Sequence, residues 1–133
     1  MPSTDPVADL LTILRNASRA RLDRTTAPDS SLSRAIIQVL QSEGFIKAWR
    51  ASAPRGAQRR LEVTIPYGPK RELILNGTRR VSCPGRRVYI GLGELKPLLR
   101  RLEVPLLSTP QGIMTGAQAL SRKTGGELVC VVW

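Results

Sequence analysis

The run "ELVCVVW", residues 127–133, decides the fold. Successive side chains of a strand point to opposite faces, and here both sets are apolar. A strand that is apolar on both faces is covered on both and lies in the middle of its sheet. The sequence around it must supply those covers. "GG" at 125–126 stops a helix "TGAQALSRKT" (115–124), capped by Thr115. Before it, "VPLLS" (104–108) reads as a short strand and "STPQG" (108–112) as a polar loop. "GELKPLLRRL" (93–102) is a short helical stretch strained around Pro97. "TRRVS" and "RRVYIG" flank a "CPG" turn. "NGTRR" (76–80) looks like a connection between this unit and an earlier one.

The earlier unit opens on a helix start, with Asp5 as N-cap and Pro6 at the first helical position. Val7, Leu10, Leu11 and Leu14 recur at i, i+3, i+4 and i+7, a single apolar stripe. Thr12, Asn16 and Arg19 fall on the opposite face, with Arg15 on its flank. "RTTAPDSS" (24–31) reads as a connector. A second helix follows from Ser31, with Leu32, Ala35, Ile36, Val39 and Leu40 as its apolar face and Gly44 after its end. "FIKAWRAS" (45–52) is a strand, "APRGAQ" (53–58) a turn, and "KRELIL" (70–75) a further short strand. Between them "RRLEVTI" (59–65) alternates, with Leu61, Val63 and Ile65 inward. The expected class is α+β, two small α/β subdomains at 1–77 and 78–133, each with a short mixed or antiparallel sheet and helices.

Composition narrows the function. The 133 residues hold no His, so the commonest general base, the His-activated nucleophiles and most transition-metal sites are absent. Two cysteines, Cys83 and Cys130, cannot close a zinc site alone and are expected as free thiols. Neither GxxxxGK[ST] nor a strand–GxGxxG–helix occurs, so no nucleotide-loop enzyme is expected, nor any cofactor or small-molecule substrate. No run is apolar enough to span a bilayer, and the first residues lack the order of a signal peptide, so a cytoplasmic protein without a membrane partner is expected.

The charge points to a polyanion. Lys and Arg number 21 against 10 Asp and Glu, a net +11 that repels itself unless a partner neutralises it. Residues 47–87 carry eleven of the basic residues, among them Arg59, Arg86 and Arg87, and only Glu62 and Glu72 of the acidic ones. Arg far outnumbers Lys, and its planar fork suits phosphates and base edges. Yet residues 104–121 contain no charge at all. Arg and Lys supply affinity for phosphates, whereas small uncharged groups read base edges, sugars and the 2′-hydroxyl. Ser108, Thr109, Gln111 and Gly112 are such groups, although a plain strand-to-helix connector has the same composition. Tyr89 points away from the core if Val88 and Ile90 point inward, and beside Arg87 it forms a stacking platform; the alternative is an ordinary half-buried strand tyrosine. Gly125 and Gly126 end a helix or permit close backbone approach to RNA. Glu127 accepts from a base amino group or pairs with an Arg to fix the loop. A generic basic nucleic-acid-binding or architectural protein is the competing reading, disfavoured by the lack of a recognition helix.

Four motifs, in order, resemble the bacterial small-subunit ribosomal protein family numbered eight: "DPVADLLTILRNA", "RRVSCPGRRVY", the signature from Glu103 through Leu106, Leu107, Ser108, Thr109, Gly112, Ile113 and Met114 to Ala119, and "GGELVCVVW". The resemblance covers essentially the whole chain. It implies two packed α/β subdomains and a structural, non-enzymatic role in the small ribosomal subunit. It implies binding to the central domain of small-subunit ribosomal RNA early in assembly, neighbouring small-subunit ribosomal proteins as partners and, in some members, repression of the operon's own messenger. By position it implies RNA contacts at Ser108, Thr109, Gln111, Gly112 and Tyr89, with Gly125, Gly126 and Glu127 beside them. Thr4, Asp5, Thr12, Arg15 and Asn16 would meet a neighbouring RNA helix. The chain departs from the pattern at Pro110, where many members carry a third hydroxyl, at Ile13, where an Arg is common, and at Gly116, which passes the helix cap to Thr115.

Overall fold

The computed structural model describes residues 5–52 and 59–133. The elements run α1 (Pro6–Arg19), β1 (Arg24–Pro28), α2 (Ser31–Ser42), β2 (Ala48–Ser52), β3 (Arg60–Thr64), β4 (Thr78–Arg80), β5 (Tyr89–Ile90), α3 (Leu92–Leu99), β6 (Val104–Thr109), β7 (Gly112–Thr115), α4 (Gly116–Ser121) and β8 (Gly126–Val132). The fold is α+β, with two antiparallel sheets. The first has the order β1-β3-β2. In the second, β8 is central, with β4 and β5 along one side and β6 then β7 on the other.

β8 is covered on both faces, as its sequence demands. Leu106, Cys130 and Val132 join the larger core, built by Leu10, Leu11 and Leu14 of α1, Ile36, Ile37 and Leu40 of α2, and Leu61 and Val63 of β3. Leu107, Leu128 and Val131 join a smaller core under Leu95 of α3 and Ala119 of α4. Strict alternation fails once. The pairing of β6 with β8 slips at Leu106/Leu107, so Val129 is an extra residue and sits with Cys130 in the larger core. Two buried hydroxyls fasten α1 to the chain that links the sheets. Ser18 Oγ donates to Leu75 O at 2.6 Å, and Thr78 Oγ1 donates to Leu11 O at 3.3 Å.

Helix ends follow local chemistry. Asp5 accepts from the Ala8 N–H at 3.2 Å, Ser30 caps α2 through the Ser33 N–H, and Thr115 and Gln118 form a reciprocal capping box on α4. Gly44 takes φ +87° just beyond α2.

Several expected elements differ. The connector at 24–31 contains β1, an edge strand whose Thr25 and Thr26 pair with Val63 and Glu62; Pro28 is tolerated at its end because an edge needs no ladder there. "KRELIL" is no strand and makes only the bridge Tyr67–Leu73, because Arg71 turns left-handed at φ +62°. On α2, Ser33 and Ile37 are buried while Leu32 is exposed, so the inward face is rotated from the expected one. "FIKAWRAS" becomes extended only at Ala48. The turn assigned to residues 53–58 lies outside the described residues. Pro97 lies inside α3, where it has no N–H to donate to the preceding turn, and the helix ends two residues later at Leu99.

Candidate nucleic-acid interface

Strand register assembles the site. Tyr89 stands opposite Glu127, and Glu127 opposite Ser108, so the three side chains share one face of the second sheet. Their neighbours Ile90 and Leu128 turn to the smaller core, which sends this row outward. Tyr89 is 69% exposed, as an unpaired stacking surface requires. Arg87, two residues earlier, donates to Glu127 at 3.3 Å. Glu127 is thus paired with an arginine at the middle of the row. Arg86 closes the turn at Cys83 through its backbone, and its side chain is exposed.

The charge-free loop is a hairpin. Ser108 and Thr109 end β6, Pro110 and Gln111 make the turn, and Gly112 begins β7. Gly112 adopts φ +113°, which side-chain-bearing residues rarely accept. The Thr109 hydroxyl accepts from the Gln111 N–H at 3.1 Å and donates to Gly112 O at 2.8 Å. Gln111 Oε1 accepts from Arg122 at 3.2 Å. Thus Thr109 and Gln111 stiffen the tip. Among the described residues no partner takes the half-buried Ser108 hydroxyl or the Tyr89 hydroxyl. Nothing local in the sequence ties Arg122, just after α4, to a hairpin eleven positions earlier.

Gly125 and Gly126 have a packing role. A Cβ on Gly125 would lie 2.6 Å from Ile90 O, and one on Gly126 would run into Ser108 O. Only glycine lets β8 pass between β5 and β6 at this point.

The α1 residues form a separate group. Thr12 and Asn16 are exposed, and Arg15 is half-buried with its Nε enclosed and unbonded. Asp5 is committed elsewhere. It caps α1 and pairs with Arg80 at 3.2 Å, both side chains being largely buried, while Arg80 also donates to Val129 O at 2.6 Å. Arg59 stands apart from both groups, at the entrance to β3, where its carbonyl accepts from the Asp29 N–H. Thr4 lies outside the described residues. Both cysteines are free thiols, and burial pushes Cys130 up to about 12. Among the described residues no group of His, Cys, Asp or Glu is placed to hold a metal ion, and no helix is long and apolar enough to cross a membrane.

An outward aromatic, an unspent hydroxyl and an arginine along one sheet face describe a binding protein, one that works by presenting a surface. Comparison with known proteins makes this specific. The chain belongs to the ribosomal protein S8 family, whose model matches residues 5–133. It is 46% identical to small ribosomal subunit protein uS8 of Salinispora arenicola over the full length of both chains. It is 43% identical to that of Sorangium cellulosum, over 98% of each chain. With that of Thermus aquaticus it shares 40%, over 98% of this chain and 99% of the other. It is therefore a ribosomal protein of the small subunit, with a structural and not an enzymatic role.

Proposed function

We propose that the chain binds the central domain of small-subunit ribosomal RNA directly, through the Tyr89–Glu127–Ser108 row and the Thr109–Gly112 hairpin, and so helps the subunit assemble. The observation that carries this is the row itself: register aligns an exposed ring with an unspent hydroxyl on one face of a rigid sheet. Tyr89 stacks on a base or ribose, Ser108 reads a sugar or base edge at short range, and Arg86 and Arg87 meet phosphate. Gln111, held by Arg122, offers its amide beside them. In this reading residues 78–133 form the shape-reading subdomain. Residues 1–77 form the other, whose α1 face meets a neighbouring RNA helix through Thr12, Arg15 and Asn16. Neighbouring small-subunit proteins complete the contacts, the setting is the cytoplasmic ribosome, and the operon's own messenger is a second RNA able to fit the same face.

The test is a titration against a central-domain RNA fragment and a regular duplex of equal length, at several salt concentrations. Tighter binding to the fragment, persisting as salt rises, is expected. Ser108→Ala with Tyr89→Ala should remove that preference while leaving duplex binding nearly unchanged. Equal, salt-labile binding to both RNAs by the wild-type chain would reduce it to a generic basic nucleic-acid-binding protein.

A further inference from the structure

Among the described residues, one face of the first sheet is left uncovered. Leu61, Val63 and Ile65 turn into the larger core, so Arg60, Glu62 and Thr64 turn outward along β3. Thr64 lies between Arg24 of β1 and Ala48 of β2. Two hollows open here, of about 370 and 640 Å³, and they share Arg24 and Thr64, so they form one trough with Thr64 on its floor.

The charges of the trough are arranged unequally. At one end Arg50 pairs with Glu62, whose carboxyl that guanidinium holds below its usual value. At the other end Arg71 pairs with Asp23 at 3.0 Å and lies over the Tyr67 ring, 4.4 Å from its centroid. That end is rigid. Arg71 donates to Arg21 O, Arg21 donates to Arg71 O, and Tyr67 donates to Leu22 O at 2.6 Å. Between these matched ends stand Arg24 and Lys47, both exposed; neither forms a salt bridge among the described residues, although Arg24 acts through space on the Glu62 carboxylate. Arg24 stands on β1 opposite Thr64, Lys47 immediately precedes β2, and both line the larger of the two hollows.

We infer that this trough is a second RNA-contacting surface, in which Arg24 and Lys47 grip the phosphate backbone of a strand other than the one met by Tyr89 and Ser108. This rests on the RNA-binding reading above. The matched pairs stand at the ends of the trough, and the two charges of Arg24 and Lys47 remain in excess between them, where a linear polyanion lies down. The Thr64 hydroxyl at the floor donates to a phosphate or sugar oxygen. An acidic protein segment is the competing occupant.

The experiment is the salt dependence of binding by the full chain and its Arg24→Gln/Lys47→Gln variant. Two RNAs are used, the central-domain fragment and polyuridylate. A control variant, Lys96→Gln/Arg100→Gln, removes the same charge from α3 and its C-cap. Thermal melts confirm that both variants fold. Loss of two phosphate contacts should lower the slope of log K against log salt by about 1.4 on polyuridylate, at about 0.7 per contact with single strands. The control should leave it nearly unchanged. An unaltered slope in the trough variant overturns the inference and leaves the acidic protein as occupant. An equal drop in both variants overturns it too, reducing the effect to the chain's overall field. If the fragment is bound no better than polyuridylate, the shape-reading proposal fails, while the polyuridylate slope still decides the trough.

Discussion

At the scale of single residues, the difference between an outward and an inward side chain is the difference between contact and support. The outward turn of Tyr89 was legible because two apolar neighbours bracket it and a strand alternates. The reason for Gly125 and Gly126 was not. It depends on the carbonyls of Ile90 and Ser108, which come from strands 18 and more positions away and take their places only when the sheet closes. Cys130 shows what burial does to chemistry. Its thiol is held neutral up to about 12, whereas in an unfolded chain it ionises near its ordinary value of 9.0. A raised native value means that its contribution to stability is complete below pH 9.0 and is lost as pH climbs toward about 12. The stability advantage of wild type over Cys130→Ala should therefore shrink by about 1.4 kcal/mol between pH 8 and pH 10, one unit beyond the unfolded value. Urea unfolding at the two pH values measures it, and a constant difference would show the thiol to be ionisable in the native protein.

At the scale of elements, what the sequence states depends on how far away the deciding partner lies. The cap of α4 was legible because Thr115 and Gln118 are three residues apart and serve each other. β1 was illegible because "RTTAP" becomes a strand only through β3, which begins more than thirty residues later. The false strand at 70–75 failed for the matching reason: its apolar residues suit a strand, but Arg71 is drawn into a left-handed turn by partners at 21–23. Asp5 belongs to this scale, since it joins α1 to β4. Asp5→Ala removes a cap and strands a largely buried Arg80, and should destabilise the chain by about 2–3 kcal/mol. Asp5→Asn keeps the cap and should cost clearly less. Denaturant midpoints decide this. Unchanged stability in both variants, with weakened RNA binding, would instead make Asp5 a contact residue.

At the scale of the whole molecule, the larger core ignores the connection near residue 77. It takes Leu61 and Val63 from the first sheet, Leu106 and Val132 from the second, and α1 between them. Two subdomains that share a core should unfold together. The chain carries its own reporters, since Trp49 lies in β2 and Trp133 follows β8, where Trp133 exchanges backbone hydrogen bonds with Gly77. Fluorescence of Trp49→Phe and of Trp133→Phe reads one sheet each. After correction for each variant's stability by circular dichroism, fluorescence and dichroism midpoints should coincide within each variant. A fluorescence midpoint displaced from the dichroism in either one would show two independently unfolding units.

The position of β8 also has a consequence in time. β4 and β5 depend on β8 for their pairing, yet both are synthesised long before it. While the chain is being made, only the first sheet and the β6–β7 hairpin have all their strands to hand. The second sheet waits with open edges until residues 126–132 emerge, and open edges invite other chains. A protein assembled in this order completes the Tyr89–Glu127–Ser108 row last, in one step, and cannot offer Tyr89 and Ser108 side by side until that strand lies between them.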